Sequence, residues 1–235
     1  MTGPARSRRQ RYRDQTREEA KQLAMTQLAE LGPTGVSVNA IAKRMGLTGP
    51  ALYRYFASRD DLLTELIRDA YRDLAESLEA AGRASQRRQP AARVRAVTAA
   101  FREWALAAPH RYLLLFGTPV PGYAAPPDTV EAANRSMVAI LDAFSALPTP
   151  PAPAEAGPAE ATDRADAADP LDRQLADLAR RRDLAVTPEQ FRRGLLAWTR
   201  LHGVLSLEVQ NQFAPMGVDP ALVYRAEVET LIAGG

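Results

Sequence analysis

Apolar residues recur every three to four positions through most of this chain, the period of helices with one buried face. Ala20, Leu23, Ala24, Leu28 and Leu31 line one face of a helix predicted over residues 16–31, and Gly32 ends it. Val38, Ile41, Met45, Leu47, Leu52 and Tyr55 come next, with the small residues Ala42 and Gly46 among them. Ser37 is placed to cap a short helix over 38–45. Gly46 stands where the chain leaving that helix needs a left-handed backbone. Thr48 is placed to cap a second helix, with Gly49 and Pro50 in its first turn. Ala42 is small where the second helix must cross the first. Such a pair is the arrangement that puts its second helix into the major groove of DNA.

The pattern continues helical. Ser58 caps the next helix and Asp60 and Asp61 suit its N-terminal dipole. Its stripe of Leu62, Leu63, Leu66, Ile67, Ala70, Leu74 and Leu78 reaches about Ala81. A polar linker, residues 82–90, precedes helices expected at 91–107, 109–116, 128–147 and 171–182. Two more are expected, one starting after Thr187-Pro188-Glu189 and running to about Phe213, the other over about Pro220 to Ala233. No strand pattern or internal repeat is present. The expectation is an all-α chain of about nine helices in two parts. Residues 16–60 form a three-helix helix-turn-helix domain and 61–235 a larger helical domain. Residues 1–15 are expected as a disordered basic arm, able to lie along phosphates or enter the minor groove. Residues 148–170, built from Pro, Ala and acids, are expected as a disordered insertion loop.

Three runs carry a resemblance: IAKRMGL, TGPALYRYF and SRDDLL, within Ile41 to Leu63. Over roughly residues 16–66 the chain resembles the N-terminal domain of the tetracycline-repressor (TetR) family. A weaker likeness lies in AWTRLHGVLSLE, Ala197 to Glu208, which resembles the Trp-His-Gly pattern of one TetR C-terminal subfamily. The resemblance implies a repressor that binds a near-palindromic operator as a homodimer and responds to a small molecule. It also matches Tyr53, Tyr55 and Arg59 to the family's phosphate-contacting positions. Their hydroxyl and guanidinium donors suit that role. Tyr55 also fits the apolar pattern, so core packing is an equal reading of it.

Other DNA contacts are read from residue type. Ser37 and Thr48 sit at helix N-termini, where backbone N–H groups favour phosphate. Asn39, Thr48, Gly49, Pro50, Ala51 and Arg54 are the base-facing candidates. Gly49, Pro50 and Ala51 offer only apolar contact, so directional readout falls on Asn39, Thr48 and Arg54.

Charge supports a polyanion at one end. Residues 1–60 hold 11 Lys/Arg against 5 Asp/Glu, while the remainder holds 19 against 23. Of the 30 basic residues 28 are Arg, a bias that extends into the acidic body and reads mainly as genome composition. The chain has no cysteine and two histidines, His110 and His202, neither at metal-ligand spacing. No phosphate loop, nucleophile elbow or paired-acid site occurs, so the expectation is no enzyme and no cofactor. No apolar run approaches the ~20 residues of a membrane span, and no secretory signal opens the chain. A cytoplasmic protein is expected.

The larger domain is rich in aromatic and flexible apolar residues. Phe101, Trp104, Tyr112, Phe116, Met137, Phe144, Trp198 and His202 are candidates to line a cavity for a mostly apolar effector, against a plain packed core. His202 would be its polar anchor. Gly203, mid-helix, suggests close approach of another helix. The last two helices are the expected dimer interface, and the helix from Ser58 is the expected route for a signal between domains. Two alternatives stay open: a helical carrier or enzyme that retains a DNA-binding head, and a regulator controlled by a protein partner.

Overall fold

The computed structural model describes residues 7–120, 122–124, 126–148 and 169–234. Among these there are ten α-helices and no strand: α1 Arg8–Leu31, α2 Val38–Arg44, α3 Gly49–Tyr53, α4 Arg59–Ala84 and α5 Pro90–Ala107. They continue with α6 Pro109–Phe116, α7 Pro127–Ser145, α8 Pro170–Arg181, α9 Pro188–Val209 and α10 Pro220–Ala233.

The chain divides into two compact units. One comprises residues 1–73 and 105–133, the other 74–104 and 134–235. The division is not the expected break at residue 60. The first part of α4, all of α6 and the start of α7 go with the helix-turn-helix, and three helices (α4, α5 and α7) have residues in both units.

In the first unit Ala20, Ala24 and Leu28 of α1 pack on Val38, Ile41 and Ala42 of α2, on Leu52 and Phe56, and on Leu62, Leu63, Leu66 and Ile67 of α4. Leu114 of α6 joins the same core. Polar ties reinforce it: Arg17 pairs with Glu65, and Lys21 with Asp69 at 2.6 Å. The Tyr123 and Thr64 hydroxyls are hydrogen-bonded at 3.0 Å, which pins the loop after α6 to α4.

The expected arm is where the structure departs most in this unit. Residues 8–15 are not disordered but helical, the first two turns of α1, capped by the Ser7 hydroxyl accepting from the Gln10 N–H. Arginine is a good helix former and no proline or glycine interrupts residues 8–31, so the helix begins earlier than its apolar face. Residues 1–6 of the arm lie outside the described residues, as do 149–168 of the expected insertion loop. Leu31, expected inside, is 62% exposed at the end of α1.

In the second unit Val94, Val97 and Phe101 of α5, Ile140, Leu141 and Phe144 of α7, Leu201 and Leu205 of α9, and Val228 and Leu231 of α10 are buried. The Tyr224 hydroxyl donates to the Thr98 carbonyl at 2.8 Å, joining α10 to α5. Arg102 of α5 forks onto the carboxylate of Glu208 of α9, which lifts the arginine pKa further through that hydrogen bond. Thr187 and Gln190 close a reciprocal capping box at the start of α9.

Candidate nucleic-acid interface

The helix pair forms for local reasons visible in its bonds. The Ser37 hydroxyl accepts the Ala40 N–H at 3.3 Å and caps α2, which leaves the hydroxyl hydrogen to donate elsewhere. The Ser37 N–H is itself taken by the side chain of buried Gln27 on α1 at 2.9 Å. At the other end Leu47 N–H reaches the Ala42 carbonyl at 2.9 Å and Gly46 N–H the Lys43 carbonyl at 3.2 Å. That is a Schellman turn, and Gly46 supplies its positive φ of 68°. Thr48 occupies the N-cap of α3 through its backbone, but its hydroxyl makes no capping bond.

These bonds leave one polar face open. Asn39, Thr48, Pro50, Tyr53 and Arg54 are exposed, while Ser37, Gly49 and Ala51 are half-buried. Leu52 between them is fully buried, which fixes the roll of α3. The structure brings Asn39 against Gly49: a methyl added at Gly49 would lie 2.6 Å from Asn39 Oδ1. Lys43 and Arg44, exposed at the end of α2, add two cations to the unit beyond the candidates named from the sequence. Their signal was present in the sequence, as basic residues at a helix C-terminus, but it reads equally as dipole pairing.

Two candidates stand differently. Tyr55 is half-buried and packs against the core of the unit, and its carbonyl accepts from the Arg17 guanidinium. Arg59 donates through Nε to the Val36 carbonyl at 3.1 Å and through Nη2 to the Pro33 carbonyl at 2.6 Å. It therefore ties the start of α4 to the turn before α2, and its guanidinium is largely engaged there.

The candidate effector residues are dispersed. In the second unit Phe101 stacks on Trp198 with centroids 5.2 Å apart and planes 13° from parallel. His202 meets both edge-on, 4.2 Å from Trp198 and 5.0 Å from Phe101. Phe101 is fully buried, whereas Trp198 and His202 are only partly so. Burial pushes the His202 pKa down to about 4, so the ring is neutral near pH 7. Trp104 and Phe144 are buried in the same unit. Met137 packs instead with Leu141, Leu175 and Phe191. Tyr112 and Phe116 belong to the first unit, where Phe116 meets Tyr112 and Tyr71 at 5.2 and 6.0 Å. Gly203 is exposed and a methyl there would meet nothing within 4 Å. Within the chain the close approach is at Gly194, where a methyl would fall 2.3 Å from a Leu141 methyl.

Two family models match. That of the bacterial regulatory proteins of the tetR family covers residues 22–66, and that of the tetracyclin repressor-like C-terminal domain covers residues 94–231. The chain is a TetR-family protein. It is 35% identical over 229 residues to HTH-type transcriptional regulator Rv1816 of Mycobacterium tuberculosis, covering 96% of this chain and 94% of the relative. Mb1846 of Mycobacterium bovis matches to the same extent. The crystal structure of the putative regulatory protein SCO4313 is 45% identical, with a TM-score of 0.78 over 97% of this chain and all of that one. A Rhodococcus protein of unknown function shares the fold, at 22% identity and a TM-score of 0.64, over 93% of this chain and 94% of that one.

As a TetR-family member the chain is a DNA-binding transcription regulator and not an enzyme. The family-matched N-terminal span contains the whole exposed face from Ser37 to Arg54, and the C-terminal span contains the Phe101–Trp198–His202 cluster. No described helix is long and apolar enough to cross a membrane.

Proposed function

We propose that this protein is a cytoplasmic repressor that binds a near-palindromic operator as a homodimer and is released by a small, mostly apolar effector. The observation that carries the DNA half is the open face of α2 and α3. Asn39, Thr48 and Arg54 offer the directional contacts to base edges, with Gly49, Pro50 and Ala51 as the apolar surface that lets the backbone come close. Ser37 and Tyr53 meet phosphates. Arg59 acts behind this face by holding the turn before α2, and Tyr55 by packing beneath it.

The effector half rests on the second unit. A neutral imidazole beside two stacked aromatic rings, two of the three only partly covered, suits a ligand with a large apolar body and one hydrogen-bonding group. We assign its contact to Trp198 and His202, with Phe101 stacked beneath Trp198. The effector must favour the conformation that fits DNA poorly, and a coupling of ~1–3 kcal/mol changes operator affinity roughly 5- to 150-fold. Because α4, α5 and α7 each have residues in both units, the signal is not confined to α4.

The test is selection of duplexes from a random-sequence library by the full-length protein. An enriched pair of inverted half-sites, about 10 base pairs apart centre to centre, is expected. Recovery of no enriched sequence overturns the reading.

A further inference from the structure

The first two turns of α1 extend beyond the core of the first unit. Thr16 is the first buried residue of the helix, and Arg8, Arg9, Arg11, Tyr12 and Arg13 before it are all exposed. The only acid of the segment, Asp14, accepts from the Gln10 amide at 2.9 Å, and the first helical turn contains no acid. Cations there oppose the helix dipole, so this segment gains from an anion outside the chain. The family-matched span begins only at residue 22, so nothing in that match accounts for it.

Arg17 orients the segment through both the end of the helix pair and α4, where it pairs with Glu65. Arg17 donates to the Tyr55 carbonyl, just beyond the end of α3, and its guanidinium lies 4.7 Å from the centre of the Phe56 ring. Arg9, Arg13 and Arg17 are spaced i, i+4, i+8 and so share one face of α1. Arg13 and Arg9 therefore continue from the end of the reading helix by one and two turns, about 6 and 12 Å along the axis. Arg8 and Arg11 point to other faces of the helix.

We propose that this extension is a second DNA-contacting element, in which Arg9 and Arg13 bind backbone phosphates outside those met by α3. The ligand is the phosphodiester chain of duplex DNA, held without regard to sequence. An anionic lipid surface would draw on all four arginines alike. The one-sided continuation from Arg17 favours a duplex. The inference rests on the DNA-binding reading above.

The experiment compares two full-length variants of equal charge, R9Q/R13Q and R8Q/R11Q, on a mixed-sequence duplex of about 40 base pairs, with salt varied from about 50 to 200 mM. R9Q/R13Q should lower the slope of log affinity against log salt by about two per protomer, about four for the homodimer, and R8Q/R11Q by less than one per protomer. Both should melt as wild type does. Equal slopes for the two variants, or an R9Q/R13Q slope equal to wild type, overturn the proposal and leave the helix-turn-helix reading standing. Absence of duplex binding by wild type overturns both. Binding to phosphatidylglycerol vesicles that R9Q/R13Q abolishes, with its DNA slope unchanged, overturns the proposal in favour of a lipid surface.

Discussion

Arg59 shows how a side chain of the right chemistry can have another use. Its two carbonyl bonds engage it with the backbone at Pro33 and Val36. Removing it leaves those acceptors without their partner, so Arg59→Ala should destabilise the first unit by about 1–3 kcal/mol and leave the salt slope of DNA binding unchanged. A slope lowered by about one per protomer, with unaltered melting, would return Arg59 to the phosphate contacts. Gly49 and Asn39 form a second coupled pair. Gly49→Ala forces the end of the Asn39 side chain to move, which it can do at little cost to the fold. The expected result is normal melting but weaker discrimination between the selected operator and mixed-sequence DNA. His202 gives a pH test. Its folded pKa of about 4 lies below the ordinary 6.5, so between these values the unfolded chain takes up a proton that the folded chain does not. Stability should therefore fall as pH drops through that window, by at most on the order of 3 kcal/mol. His202→Gln should remove this part of the pH dependence in urea unfolding, and parallel curves for the two proteins would refute it.

At the scale of elements, a helix boundary is readable where a cap adjoins an apolar stripe, and not at the start of α1, where the Ser7 cap stands well before the first buried side chain, Thr16. Ser37, Gly46 and Ser58 do what their chemistry predicts: the Ser58 hydroxyl accepts the Asp61 N–H at 3.0 Å and Gly46 takes the left-handed turn. The start of α1 was missed because an all-polar, arginine-rich segment has the composition of a tail as much as of a helix. The two glycines of α9 make the same point about packing. Helix propensity disfavours glycine at both positions, but only a neighbouring helix decides which one is needed. Gly194 faces Leu141 of α7 at a distance that admits no methyl, whereas Gly203 faces open space. Gly194→Ala should therefore destabilise by about 1–3 kcal/mol through overpacking. In a protomer without its partner, Gly203→Ala should stabilise the helix by up to about 1 kcal/mol. Gly203 shares a face of α9 with Leu196 and Leu207, so in the proposed dimer a methyl there meets the partner. Chemical denaturation of both variants checks the opposite signs, and equal effects would remove the packing argument.

For the whole molecule, helical class was legible because the 3.6-residue period runs through nearly every segment, but the division into units was not. Periodicity cannot tell which core a stripe enters, and Leu114 of α6 enters the core of the helix-turn-helix from far along the chain. The proposed dimer belongs to this scale. Leu196 and Leu207 of α9 and Leu222 of α10 are 49%, 46% and 57% exposed and are the apolar positions these helices offer to a partner. Met216 and Val218, between the two helices, are exposed beside them in sequence. A two-fold axis would cover each residue with its own symmetry mates and form a four-helix interface. It would also set two reading helices one turn of DNA apart, ~34 Å. Deleting α10 is a poor test, because Tyr224, Val228 and Leu231 are buried within the unit itself. Leu207→Glu combined with Leu222→Glu adds charge only to exposed positions. The double variant should keep its helix content, sediment as a monomer and lose most of its affinity for a two-half-site operator while retaining weak binding to a single half-site. A double variant that still sediments as a dimer would place the interface elsewhere.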